Sequence, residues 1–161
     1  MTTLTPDDHI HLARAVALSR EHMERGEGGP FGAVIVRDGQ VLAEGWNRVT
    51  SSNDPTAHAE VTAIRRACEA LGTFSLPGAT LYTSCEPCPM CLASAYWARV
   101  SRIVFANTRA DAASIGFDDQ LLYDEIPKPV SERLIPTIHA PTEDAKSVFE
   151  AWRTKLDKIV Y

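Results

Sequence analysis

The stretch Thr80–Cys91 reads TLYTSCEPCPMC. Its first five residues are rich in β-branched and aromatic types and read as a short strand. Pro87 then opens a helix running to about Arg99, at a first position where the missing N–H costs nothing. A strand that turns directly into a helix is half of an α/β unit. The turn here carries three cysteines. Cys88 and Cys91 are three apart in the first helical turn and so share a face. Cys85 sits at the strand end, outside that turn.

The neighbouring segments extend the same alternation. Ala57–Leu71 carries Val61, Ile64, Cys68 and Leu71 at helical spacing and stops at Gly72. His58 and Glu60 fall in its first turn. FGAVIVRDGQVLAEG, residues 31–45, is a hairpin turning through Asp38-Gly39. Asp7 to about Arg25 reads as a helix, with Thr5 or Asp7 as cap, Pro6 in the first turn and Ile10, Ala13, Val16 and Ala17 as its apolar stripe. RIVFA at 102–106 is a further strand, IPTIHA at 135–140 a fifth, and Glu143 to about Lys158 a final helix. Helices alternating with strands predict an α/β layered domain with a mixed sheet. Residues 107–134 show little periodicity and carry five acidic residues up to Glu125; a loop that long in a compact domain is often functional.

Composition narrows the function classes. A chain of 161 residues fits one domain and buries roughly 70% of its unfolded surface. No apolar run approaches the ~18 residues a membrane span needs. MTTLTPDDHIHLARA lacks the basic start and apolar stretch of a signal peptide, so a cytoplasmic protein with no membrane partner is expected. Three of the four cysteines lie within seven residues, a spacing that points to metal rather than to a disulfide framework. The net charge is −5, and the 16 basic residues form no run among 21 acidic ones. That balance argues against a nucleic-acid partner.

The metal reading then turns on geometry. In an open α/β sheet, helix N-termini gather beyond the carboxyl ends of the strands, where ligands bind. Two of them side by side bring His58 to the Cys88 and Cys91 thiols, and their positive ends favour thiolate. Three ligands with one open position make a catalytic zinc site, whereas Cys85 as a fourth ligand would close a structural one. Cys85 is read as a small buried residue. Glu60, two residues past the histidine, decides for chemistry. A closed site has no use for an acid there, while a hydrolytic site needs one to move the protons of a metal-activated water. H-x-E at His58–Glu60 with P-C-x-x-C at Pro87–Cys91 is also the pairing seen in zinc nucleobase deaminases.

On these motifs the chain resembles the cytidine deaminase-like superfamily over its whole length. The stretches that carry the resemblance are GGPFGAVIV, SNDPTAHAEVTAIR, LYTSCEPCPMC, YWAR, GFDD and the terminal tyrosine. SCEPCPMC with GFDD and Tyr161 is most similar to the small bacterial guanine deaminases. The resemblance implies a three-layer α/β/α fold, which with the strands above gives a five-stranded mixed sheet, and one zinc per subunit. It implies hydrolysis of guanine to xanthine and ammonia, with hydroxide attacking C2 and Glu60 carrying protons to the ring nitrogen and the amine. It also implies a homodimer in which the C-terminal helix and tail, about 142–161, close the pocket of their own or a neighbouring subunit. Carried to this chain, Phe31 stacks on the base, Asn47 and the backbone N–H of Ala59 meet its polar edge, and Trp97 packs near the pocket. Asp119, with Asp118 as rival, contacts the departing amine, and Tyr161 acts as a lid. Other readings of the same site are deamination of cytosine or an amino-triazine such as ammeline, a tRNA adenosine deaminase, or a zinc-stabilised binding module without turnover.

Overall fold

A computed structural model describes residues 3–161. The chain forms two compact units, the first ending at Asp119 and the second spanning Gln120–Tyr161.

The first unit is built on a sheet that has four strands among the described residues: β1 (Gly32–Arg37), β2 (Gln40–Trp46), β3 (Thr80–Cys85) and β4 (Arg102–Asn107), in the order β2-β1-β3-β4. β1 pairs antiparallel with β2 and β3, and β3 pairs parallel with β4, so the sheet is mixed as expected. The Asp38-Gly39 turn has both φ angles positive, 53° and 75°, the backbone that a two-residue hairpin turn demands. Strand alternation divides two cores. Ala33, Ile35 and Leu81 face one side, with Ala59, Ala63, Ile64 and Ala67 of α3 (Ala59–Leu71) and Ala95 of α4 (Pro89–Trp97). Val34, Val36, Tyr82 and Val104 face the other, with Ala15 and Leu18 of α1 (Pro6–Glu24). Helices on both faces make three layers. Deleting a fully buried side chain such as Leu81 or Ile35 from such a core typically costs about 2–5 kcal/mol.

Two helices, α3 and α4, start at the same end of this sheet. β2 ends there, β1 begins there, and β3 and β4 both end there. Gly45 permits the close fit on that side: a Cβ on it would lie 2.3 Å from the Ala59 carbonyl oxygen and 2.5 Å from the Ala63 nitrogen. α2 (Val49–Ser52) is a single turn between β2 and α3. α5 (Arg109–Ser114) follows β4 and is capped reciprocally by Thr108 and Asp111.

Thr5, rather than Asp7, caps α1. Its Oγ1 accepts from the Asp8 N–H, while Asp8 Oδ2 accepts from the Thr5 N–H at 2.7 Å. Buried Asp8 also accepts two bonds from Arg102 of β4, at 2.7 and 3.0 Å, and one from the Tyr82 hydroxyl at 2.7 Å. One carboxylate thus ties the start of the first helix to two strands.

The second unit holds α6 (Gln120–Glu125), a 3-10 turn at Val130–Glu132 and α7 (Glu143–Thr154), which Thr142 caps. Residues 107–134 therefore contain short helices where the sequence shows none clearly. The fifth strand expected at 135–140 is not formed. Ile135 and Ile138 are exposed without a partner strand, and Pro136 lacks the N–H that a ladder uses.

Replacing Asp8 by Asn is expected to lower the Tm by several degrees at neutral pH. Arg102 above all, then the Thr5 N–H, holds the Asp8 carboxyl far below its ordinary 3.8. A carboxyl depressed on folding contributes stability above its unfolded pKa and loses that contribution as pH falls. The Tm gap between wild type and Asp8→Asn should therefore be full above about pH 5 and shrink steadily below about pH 4. Thermal melts across that range check this; a gap independent of pH rules it out.

Candidate active site

His58 and Cys88 both stand one residue before a helix, in extended backbone at φ −67°, ψ 159° and φ −62°, ψ 167°. The sequence places them inside the first turns, and the difference has a local cause for Cys88. Pro89 follows it and disfavours helical backbone in the preceding residue, so α4 begins at Pro89. Cys91 then lies within the first turn and is fully buried. The approach to His58 is stiffened by Asp54, whose Oδ1 accepts from the Thr56 N–H at 2.8 Å and the Thr56 hydroxyl at 2.7 Å, with Arg65 beside Oδ2 at 3.4 Å.

The two helix starts bring three ligating atoms together. His58 Nδ1 lies 3.6 Å from Cys88 Sγ and 3.5 Å from Cys91 Sγ. All three atoms fall within 4.8 Å of one another. Zinc held tetrahedrally at about 2.3 Å from sulfur and about 2.0–2.1 Å from nitrogen sets S···N separations of roughly 3.6 Å, so the donor set and spacing fit that ion. The neighbouring Cys91 thiol, and then the His58 ring, hold the Cys88 thiol down to about 4. Cys85 is different. It is buried, its thiol points to the Thr108 carbonyl at 3.5 Å, and burial pushes it up to about 11, so it stays protonated away from the group of three.

Glu60 lies directly against this group. Its Oε2 accepts from the Cys91 thiol at 3.4 Å, and its Oε1 accepts from the Thr83 hydroxyl at 3.2 Å. The carboxylate is buried, and burial, followed by the charge at Cys88, pushes it above the usual range. A carboxyl that holds its proton more tightly is suited both to accept and to return one.

Of the remaining residues read from the sequence, Asn47 and Phe31 are joined directly, the Asn47 N–H donating to the Phe31 carbonyl at 3.0 Å. Asn47 is buried, and its Oδ1 accepts from the Gly29 and Val49 backbone N–H groups, both at 3.2 Å. Two backbone donors fix the amide orientation, so its NH₂ is the end left to donate. Gly28 is packed against it; a Cβ there would lie 2.1 Å from the Asn47 carbonyl oxygen. Ala59 opens α3, and its N–H belongs to the turn that has no acceptor within the helix. Phe31 meets Phe117 edge to face, with centroids 4.9 Å apart. Asp119 is the half-buried member of its pair and Asp118 the exposed one. Arg109 approaches Asp119 at 3.8 Å, while burial, opposed by Arg109, raises the Asp119 carboxyl and the charge at Cys88 adds to the rise. Trp97 is not gathered into this group. It lies at the far end of α4, about 13 Å along the axis from Cys88, and is 63% exposed. Tyr161 is exposed in the second unit.

Three neighbours escape a reading by motif. Thr83 is a polar residue on the face of β3 that also bears Leu81, and strand alternation flags it. Phe117 lies inside GFDD, between the residues that draw attention. Glu86 accepts from the Arg109 N–H at 3.0 Å and donates its own N–H to Asn107, at 2.8 Å, which ties the turn after β3 to the turn after β4. No local pattern marks it.

Known proteins resemble this chain over most of its length. The family model of the cytidine and deoxycytidylate deaminase zinc-binding region matches residues 5–107. The chain is 55% identical over 150 residues to the guanine deaminase of Bacillus subtilis (strain 168), across 93% of this chain and 96% of that protein. It is 41% identical over 118 residues to the tRNA-specific adenosine deaminase of the same organism, across 73% of each. The X-ray structure of guanine deaminase from Bacillus subtilis matches with a TM-score of 0.93 at 54% identity, covering 95% of this chain and 98% of that one.

Purified protein is expected to carry about one zinc per chain, bound by two sulfurs and one nitrogen in X-ray absorption. Cys88→Ser should lose the metal and Cys85→Ser should keep it. Equal loss in both variants would make the site a closed structural one.

Proposed function

The chain belongs to the cytidine and deoxycytidylate deaminase zinc-binding family, and from that premise we propose how it acts: it is a zinc-dependent guanine deaminase that hydrolyses guanine to xanthine and ammonia. The observation that carries the reading is the buried Glu60 carboxylate, 3.4 Å from a thiol of the His58, Cys88 and Cys91 group. A closed structural knot would gain nothing from it.

His58, Cys88 and Cys91 hold the zinc, one per subunit. When bound, the ion supplies a Lewis acid that lowers the pKa of a water at its open position towards about 7. Glu60 takes a proton from that water and delivers it to the ring nitrogen beside C2, so the electrons displaced by attack at C2 have somewhere to go. Thr83 holds the carboxylate in place during the transfer. Glu60 then takes the remaining proton from the oxygen now bonded to C2, and that proton, from Glu60 or by way of Asp119, reaches the amine, which leaves as ammonia while C2 becomes the carbonyl of xanthine. The Phe31 ring face stacks on the base, and stacking of this kind is worth about 1–3 kcal/mol. The Asn47 NH₂ donates to an acceptor on the purine edge, and the Ala59 N–H meets a ring substituent.

The functional unit in this proposal is a homodimer, with the C-terminal segment of one subunit closing the pocket of the other through Tyr161. Exposed apolar surface supports it. Tyr96 is 71% exposed beside Trp97 on α4, and Phe149 is 81% exposed on α7 beside Val148 and Trp152. Ile159, Val160 and Tyr161 end the chain, also exposed. Apolar faces of this kind mark surfaces that meet a partner. No helix among the described residues is long and apolar enough to cross a membrane, and we place the enzyme in the cytoplasm.

Ammonia release measured on guanine, cytosine, ammeline and a tRNA anticodon stem-loop tests the assignment. Guanine should be turned over fastest and the stem-loop not at all; inosine formed in the stem-loop at a comparable rate would overturn it. Glu60→Gln should keep zinc and fold but lose at least the ~10²–10⁴-fold usual for a general acid–base residue. A variant within about tenfold of wild type removes the carboxylate from the reaction.

Deleting Ile159–Tyr161 should leave zinc content and Tm nearly unchanged and cut turnover roughly tenfold or more, as loss of a closing lid does. A tail that only covered core surface would show the reverse, a lower Tm with near-normal turnover. Sedimentation equilibrium on the intact chain should give twice the chain mass; a monomer there refutes the swapped arrangement.

A further inference from the structure

Trp46, the last residue of β2, is held between two helices. The His22 imidazole of α1 stacks on its indole, with centroids 3.6 Å apart and planes within 4°. The Arg66 guanidinium of α3 stands 4.1 Å from the same ring's centroid. The indole N–H donates to Glu27 Oε2 at 2.7 Å. The other carboxylate oxygen, Oε1, lies 3.1 Å from the buried His22 Nδ1. The Glu27 N–H donates to the His22 carbonyl at 3.0 Å.

The place of these residues in the chain is what gives the cluster meaning. Glu27 immediately precedes Gly28-Gly29-Pro30-Phe31, and Trp46 immediately precedes Asn47. Those two segments meet at the site: the Gly29 N–H donates to Asn47 Oδ1, and the Asn47 N–H donates to the Phe31 carbonyl at 3.0 Å. The carboxylate of the residue before one segment therefore grips Trp46, the residue before the other. Stacking alone would not hold the register, because a ring between two flat groups keeps its freedom to slide and to rotate in its own plane. A directed bond at the indole nitrogen removes that freedom.

We propose that Glu27 is a positioning residue for the substrate, fixing through Trp46 the Asn47 amide and the Phe31 ring where a planar base enters. This rests on Phe31 and Asn47 being the base contacts. Such contacts hold the unreacting part of the ring alike in ground and transition states, so losing their alignment raises KM and leaves kcat.

The test is steady-state guanine kinetics together with calorimetric binding of xanthine, for wild type, Glu27→Ala, Glu27→Gln and Trp46→Phe. Glu27→Ala is expected to raise the guanine KM and the xanthine Kd together by roughly fivefold or more, with kcat within about twofold. Glu27→Gln keeps an acceptor for the indole and should recover most of the affinity. Hydrogen exchange should quicken at the Gly29 and Val49 amides and not in the core strands. KM and Kd within about twofold of wild type, a loss confined to kcat, or a Glu27→Gln variant no better than Glu27→Ala overturns the proposal. Should Glu27→Ala not fold, Trp46→Phe decides: it removes the N–H together with part of the stacked ring, and an unchanged KM there also overturns it. Wild type without guanine turnover, joined to an Asn47→Ala variant with unaltered xanthine binding, removes the underlying substrate assignment and this inference with it. Wild-type turnover with indifferent Glu27 variants removes the inference alone.

Discussion

Two helices begin within reach of one another at the end of a four-stranded sheet, and the residue before each is a metal-ligating type, His58 and Cys88. A helix start presents N–H groups without partners and the equivalent of about half a positive charge. Side by side, the starts of α3 and α4 set a Cys88 thiol of lowered pKa beside a buried Glu60 carboxyl that holds its proton more tightly than usual. The approach depends on Gly45, since any Cβ there would drive into the backbone of α3 at Ala59 and Ala63. Lifting α3 to make room would open the 3.5–3.6 Å spacings that suit zinc.

Glu60 shows the cost of building chemistry into that volume. Burying a carboxylate is unfavourable unless its oxygens are matched. Here the Thr83 hydroxyl on β3 donates to one oxygen, while the other faces Cys91 Sγ on α4 at 3.4 Å. The residual penalty is the raised proton affinity itself, which the proposed proton transfers use. Glu60 is shut away from solvent, whereas Asp119 is half-buried on a loop and approached by Arg109; burial raises both carboxyls.

On the opposite face of the sheet the demands are mechanical. Asp8, Arg102 and Tyr82 lock α1 to β3 and β4 through bonds that satisfy both carboxylate oxygens. The His22–Trp46–Arg66 stack joins α1 to α3 past β2. These two fastenings leave the rim, Phe31, Asn47 and the 116–119 stretch, as the part of the first unit where loops meet, and loops carried by a rigid frame are where binding residues gather.

Legibility in the sequence followed the range of the interaction. The hairpin, the mixed sheet, α1, α3 and α4 could be read from local periodicity and turn residues, because 3.6- and 2-residue repeats are properties of the chain itself. So could the membership of the zinc group, since H-x-E and P-C-x-x-C put the right donors at fixed spacings along two helix starts. Short-range rules also misplaced details: Pro89 moved the start of α4, and 135–140 has strand-like residues but forms no strand, Pro136 lacking the N–H that a ladder uses. Thr83 beside Glu60, Phe117 against Phe31 and Glu27 under Trp46 join positions 19 to 86 residues apart, and no local pattern encodes such distances. The sequence by itself determined which atoms can bind a metal and move a proton. Only the tertiary structure decided how far apart they stand and what surrounds them, because separations between elements are set by packing across the sheet, where a single missing Cβ at Gly45 or a directed bond at Trp46 shifts whole segments.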